Sequence, residues 1–158
     1  MKKLLMYLLL LLPLAMASCG GGDKDEPQTT ANDPEGTILL NMYHDDDISL
    51  YPNHYLSITE SNNFWILGNG RAKIVDVGKV NGIRNIKSIP KSGWSEQTAI
   101  LTGHGYIFGA ASSTFNYEAF INNNFESYSR IYVVDFIKNT SGGIIGVTIK
   151  YQQDWKPE

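Results

Sequence analysis

The chain has one cysteine in 158 residues. No disulfide can form within one copy, so apolar burial must supply the stability of the folded part. Positive charge is also scarce, with 13 Lys and Arg against 16 Asp and Glu and a formal net charge of −3. A nucleic-acid binder carries a basic stripe or patch, and none is written here, so no nucleic-acid partner is expected. The three histidines, His44, His54 and His104, stand at spacings that match no metal motif, and no metal site is assigned. His104, between two glycines, reads as a turn residue. Phosphate cradles are missing as well. Gly68-Asn69-Gly70 and Gly142-Gly143-Ile144-Ile145-Gly146 open no helix within a strand–helix–strand unit, and they read as turns. Gly93-Trp94-Ser95-Glu96-Gln97 has half of a nucleophile elbow, but Gln97 occupies the place of the second glycine. His44-Asp45-Asp46-Asp47 lacks the glycine and the distal glutamate of an EF-hand loop and reads as a solvated turn. No catalytic residue and no cofactor are assigned.

What is present starts at the amino terminus. Lys2 and Lys3 precede an apolar run from Leu4 to Leu12, and small residues then lead to Cys19. That order is a secretory signal peptide over residues 1–18. The run is shorter than the ~20 residues that cross a bilayer, and Pro13 interrupts it. A lone thiol in an oxidising compartment needs a reason to be there. Leu14-Ala15-Met16-Ala17-Ser18-Cys19 resembles the lipobox of bacterial lipoproteins, which implies that Cys19 is lipidated and becomes the first residue. The partner it implies is a membrane, held by about 0.8 kcal/mol per buried methylene of acyl chain.

Residues 19–35 are the lipidated cysteine and a disordered tether, because Gly20-Gly21-Gly22 and the charges after it cannot bury enough surface to fold. Lys24-Asp25-Glu26 resembles the acidic export signal of Bacteroidetes surface lipoproteins. That implies an outer-membrane lipoprotein at the cell surface; read instead as a plain solvated linker, the run leaves the domain facing the periplasm. Without residues 1–18 the chain has 11 basic and 16 acidic side chains, a balance of −5, whereas from Gly36 onward it has 10 and 11, a balance of −1. The acidity therefore belongs to the tether, and the folded part is near neutral.

Residues 36–158 are long enough for a single domain with a core. Thr37–Tyr43, His54–Thr59, Asn63–Leu67 and Arg71–Val77 carry strand-forming residues between turn signals. Thr98–Leu101 and Tyr106–Phe108 flank Gly103-His104-Gly105 and read as a hairpin. Ser129–Ile137 and Ile144–Tyr151 form the clearest pair. Ile131, Val133 and Ile137 alternate with Tyr132, Val134 and Phe136, so both faces are largely apolar and that hairpin belongs mid-sheet. Many short strands without a long helical period predict an all-β fold, an antiparallel sandwich or barrel, with one short helix around Phe115, Ala119 and Phe120 in an inserted loop.

Several motifs recur in order. Val77-Gly78-Lys79-Val80-Asn81-Gly82, Ile89-Pro90-Lys91-Ser92-Gly93-Trp94 and Gly103-His104-Gly105-Tyr106 are followed by Arg130-Ile131-Tyr132-Val133-Val134, Gly142-Gly143-Ile144-Ile145-Gly146 and Lys150-Tyr151-Gln152. In these the chain resembles a Bacteroidetes lipoprotein family catalogued as a domain of unknown function, over residues 34–155. The resemblance implies a surface or periplasmic lipoprotein and brings no catalytic residues. Ala110–Tyr128 departs from it as an added excursion.

A non-enzymatic module that binds a ligand or partner, a glycan or a peptide, fits these observations. A structural subunit of an envelope assembly and a hydrolase are the alternatives. The aromatics are the candidate contacts. Trp65, within Phe64-Trp65-Ile66-Leu67, is expected in the core. Trp94 and Trp155 are expected to be partly exposed, and Phe115, Tyr117, Phe120 and Phe125 lie in the excursion among Asn116, Asn122, Asn123 and Asn124. Rigid rings beside amides suit an uncharged polar ligand. The alternative is that these rings pin the inserted loop against the sheet.

Overall fold

The computed structural model describes residues 33–158. The signal peptide, Cys19 and the tether as far as residue 32 lie outside the described residues. The strands are β1 (Ile38–Tyr43), β2 (Asp47–Tyr51), β3 (His54–Ile58), β4 (Asn63–Gly68), β5 (Ala72–Lys79), β6 (Gln97–Ala99), β7 (His104–Ala110), β8 (Ser127–Lys138) and β9 (Ile144–Gln152). A 3-10 turn at Ile83–Asn85 and the helix α1 (Tyr117–Ile121) complete the set. Tight turns make the early strands possible. Asp45, Asn53 and Asn62 sit at φ 68, 61 and 58, a region that Asp and Asn tolerate better than other side chains do. At the β8–β9 turn the Asn139 side chain accepts from the backbone N–H of Ser141 and of Gly143.

The strands form two antiparallel sheets, in the orders β1-β9-β8-β7-β5 and β2-β3-β4-β6. They pack face to face as a sandwich rather than closing into a barrel. Met42, Leu56, Ile58, Phe64, Ile74, Tyr106, Phe108, Ile131, Val133, Val147 and Ile149 fill the space between them. The 129–151 hairpin lies mid-sheet as expected, since β8 pairs with both β7 and β9, and β9 also with β1. A bulge between Val133 and Asp135 changes the phase of β8. It lets Phe136 pack on the same core as Ile131 and Val133, which strict alternation forbids. The start of the domain is clipped to β9: Lys150 pairs with Asp33 at 2.8 Å, and Gln152 Nε2 donates to the Glu35 carbonyl at 2.8 Å.

The five-stranded sheet is covered on its second face too. Val75, Ile83, Ile86, Ile107 and Trp155 form a second cluster there, with Trp94, Tyr128 and Tyr132 against it. The glycine-punctuated stretch from Val80 to Trp94 is therefore a covering layer. On β7, Tyr106, Phe108 and Ala110 face the sandwich core, while Gly105, Ile107 and Gly109 face the cover. The glycines are notches: a Cβ on Gly105 would overlap Ile86, and one on Gly109 would overlap the Phe125 ring.

Three expectations are corrected. Residues 98–108 are not a hairpin, because β6 pairs with β4 and β7 pairs with β5 and β8. The chain crosses between the sheets there, with Ile100 buried in the crossing. His104 is not a free turn residue. It opens β7, and its Nδ1 lies 3.0 Å from Asp76 Oδ2. Trp65 is not core. Phe64 takes the inward position with no exposure, and Trp65 is 48% exposed.

Candidate functional site

The aromatics selected from the sequence do not form one surface. Phe125 and Phe120 are buried at 4% and 7% exposure and meet edge to face at 5.7 Å. Trp94 is half-buried, 4.8 Å from Phe125, and its Nε1–H donates to the Pro90 carbonyl at 2.9 Å. Trp155, expected to be partly exposed, is buried beneath the Arg130 guanidinium, 5.4 Å from its ring centroid. Tyr117 is exposed, with Arg71 5.6 Å above its ring. Half-buried Phe115 gives its carbonyl to Arg71 Nη1 at 2.9 Å. Lys73 Nζ holds Asn123 Oδ1 at 2.9 Å and lies 5.0 Å from the Phe120 ring. The excursion is thus fastened by Arg71, just ahead of β5, by Lys73 on β5, and to β7 by Phe125. Its buried rings, Phe120 and Phe125, cover the sheet.

Several polar side chains serve the fold. His44 Nε2 and Asn62 Oδ1 are 3.1 Å apart, and buried His54 places Nδ1 2.9 Å from the Pro52 carbonyl. Among the described residues no three of His, Cys, Asp and Glu are grouped to hold a metal ion. The Tyr106 hydroxyl donates to the Ala99 carbonyl and accepts from the Leu101 N–H, at 2.9 and 2.8 Å. Burial pushes its pKa well above the ordinary phenol range.

Two shallow recesses meet at Asp154. One, of about 430 Å³, is lined by Ser49–Pro52, Gln153 and Asp154. The other, of about 350 Å³, lies between Glu126–Tyr128 and Asp154–Pro157. Nearby, the Ser112 N–H donates to Glu126 Oε2 at 3.0 Å and, with the Ser112 and Tyr51 hydroxyls close by, holds the carboxyl pKa below the ordinary value. Ser127 Oγ donates to Asp154 Oδ1 at 3.1 Å. No histidine lines either recess; the ionisable side chains there are Glu126, Asp154, Tyr51, Tyr128 and Lys156.

The surface that stands out is the outer face of the four-stranded sheet. In β3 and β4 the even positions Leu56, Ile58, Phe64 and Ile66 pack into the core. The odd positions therefore point away from it. Trp65 at 48% and Tyr55 at 37% exposure are the large rings on this face. Register fixes their neighbours. Trp65 lies between Ser57 on β3 and Gln97 on β6, and Tyr55 lies opposite Leu67, diagonal to Trp65. Asn63 precedes Trp65 by two residues on the same strand and so shares its face.

Sequence reasoning missed this face because Phe64-Trp65-Ile66-Leu67 is apolar on both sides, so a period of two cannot choose between them. The usable signal was in β3. Ser57 alternates with Leu56 and Ile58, and the tight turn through Asn62 sets Ser57 opposite Trp65. A strand's polar side marks its partner's outward side.

No solved structure and no curated protein matches the chain. A family model does match, over residues 39–157, which run from the second residue of β1 through both sheets and past Trp155. The chain belongs to the family described as Domain of unknown function (DUF5036).

Proposed function

We propose that the protein is a membrane-tethered, non-catalytic module that binds a glycan or peptide ligand. The observation that carries this reading is the outer face of the four-stranded sheet, where Trp65 and Tyr55 stand exposed on a rigid sheet among polar side chains. Large rings are usually withdrawn from water, and a ring held out on a rigid sheet offers contact area at little entropic cost.

The tether follows from the order of signal run, small residues and Cys19. In this reading acyl chains on Cys19 hold the domain at the outer membrane, and the acidic stretch after them directs it to the cell surface. Expression with the leader in a Gram-negative host, followed by fractionation and mass spectrometry, tests this half. An acylated peptide beginning at Cys19 is expected, and Cys19→Ser should leave the membrane fraction. A Cys19→Ser chain that stays there sinks the tether. For the binding half, glycan and peptide arrays are probed with the full chain and with Trp65→Ala. Capture lost with Trp65 supports the reading, whereas turnover of a captured polymer counts against a purely binding role.

A further inference from the structure

We infer that the Trp65–Tyr55 face takes an uncharged, extended polysaccharide chain, an assignment that rests on reading this face as the binding site. The ring geometry is the first argument. Trp65 and Tyr55 are diagonal cross-strand neighbours, and in antiparallel sheets such neighbours are roughly 7–8 Å apart. Two separated platforms on one sheet surface fit successive rings of a chain better than a single small molecule. A sugar ring presents an aliphatic C–H face and a hydroxyl edge. The aromatic faces match the first. The amides of Asn63 and Gln97, which flank Trp65 and make no hydrogen bond within the described residues, can both donate to and accept from the second.

Charge decides among ligands. The outward positions of these strands hold no Lys, Arg or His, and their one ionised group is Asp47, on the edge strand β2. A uronate, phosphate or nucleic acid finds no counter-charge here and meets a carboxylate at the rim. A peptide in strand conformation is recognised by unpaired backbone groups at a sheet edge. On this face those groups are already used in the ladders with β2, β4 and β6. A second copy would need to bury about 800 Å² per partner around a largely apolar centre. Here Asn63 and Gln97 interrupt the apolar surface beside its largest ring. A neutral polyhydroxylated chain matches the mixture.

Affinity electrophoresis of the full chain tests this, in gels holding mixed-linkage β-glucan, xyloglucan, galactomannan, amylopectin or polygalacturonate, beside the peptide array. At least one neutral polymer should retard the protein and polygalacturonate should not. Trp65→Ala should weaken retardation at least tenfold with an unchanged melting curve, Tyr55→Ala should weaken it less, and Trp65→Phe should keep most of it. Retardation by none of the four neutral polymers, or by polygalacturonate alone, overturns the assignment. Peptide capture that depends on Trp65, without glycan binding, overturns the sugar class and leaves the face as the site. Glycan retardation that Trp65→Ala leaves intact overturns the site itself.

Discussion

Gly109 governs how closely the excursion can lie on β7. The Phe125 ring occupies the space where a Cβ would stand, and Phe125 in turn supports Phe120 and Trp94. Phe125→Ala should cost about 3–5 kcal/mol as a buried aromatic truncation, and Gly109→Ala about 1–3 kcal/mol as overpacking. Urea denaturation of both and of the double variant separates the notch from a general effect. The added methyl enters space that the truncated ring vacates, so the double variant should lose clearly less than the sum. Strict additivity would mean that the two residues do not share the socket. Glu126 is the other telling residue. Its donors hold its pKa below the ordinary value of 4.5 in the folded state, so its contribution is present above that value and lost as pH falls through the folded one. Wild type should exceed Glu126→Gln in melting temperature at neutral pH, and the gap should close on the acid side. A gap that persists at the lowest pH would remove the carboxylate from the account.

At the level of elements, the crossing from β6 to β7 shows where sequence reading stops. Thr98–Leu101 and Tyr106–Phe108 look like two arms of a hairpin because a glycine-flanked turn separates them. Nothing in that pattern says which strand each arm will join. The choice is made by distant strands, since β6 joins β4 and β7 joins β5 and β8. The Tyr106 hydroxyl reaches back a few residues to the Ala99 carbonyl and the Leu101 N–H and ties the crossing to the core. Tyr106→Phe should cost about 1–3 kcal/mol for the backbone groups left unpaired. It should also speed hydrogen exchange at Leu101 more than at Ile131. Equal acceleration at both would point to general loosening. By contrast the β8–β9 hairpin was legible, because Ile131–Ile137, apart from Asp135, is apolar on both sides and rests best mid-sheet. The bulge that redirects Phe136 was not, since an extra residue changes no composition. The candidate face was hidden for a similar reason. Two adjacent aromatics, Phe64 and Trp65, differ only in parity, and parity is set by the neighbouring strand.

For the whole molecule, the all-β class and the 129–151 hairpin could be read from alternation and turn residues, which are local. The division into two sheets could not, because it depends on contacts between distant strands such as β1 and β9. That pairing has a mechanical side. The chain enters at Asp33, clipped to Lys150, and runs along β1 against β9 before it passes into β2 and the sheet that carries Trp65. A pull on the chain at residue 33, resisted at Trp65, therefore travels lengthwise through β1. The β1–β9 hydrogen bonds then bear the load side by side, as rivets do in a lap joint, instead of parting one after another like the teeth of a zip. A domain strung this way can be tugged from its amino-terminal end while its outer face stays flat and gripped.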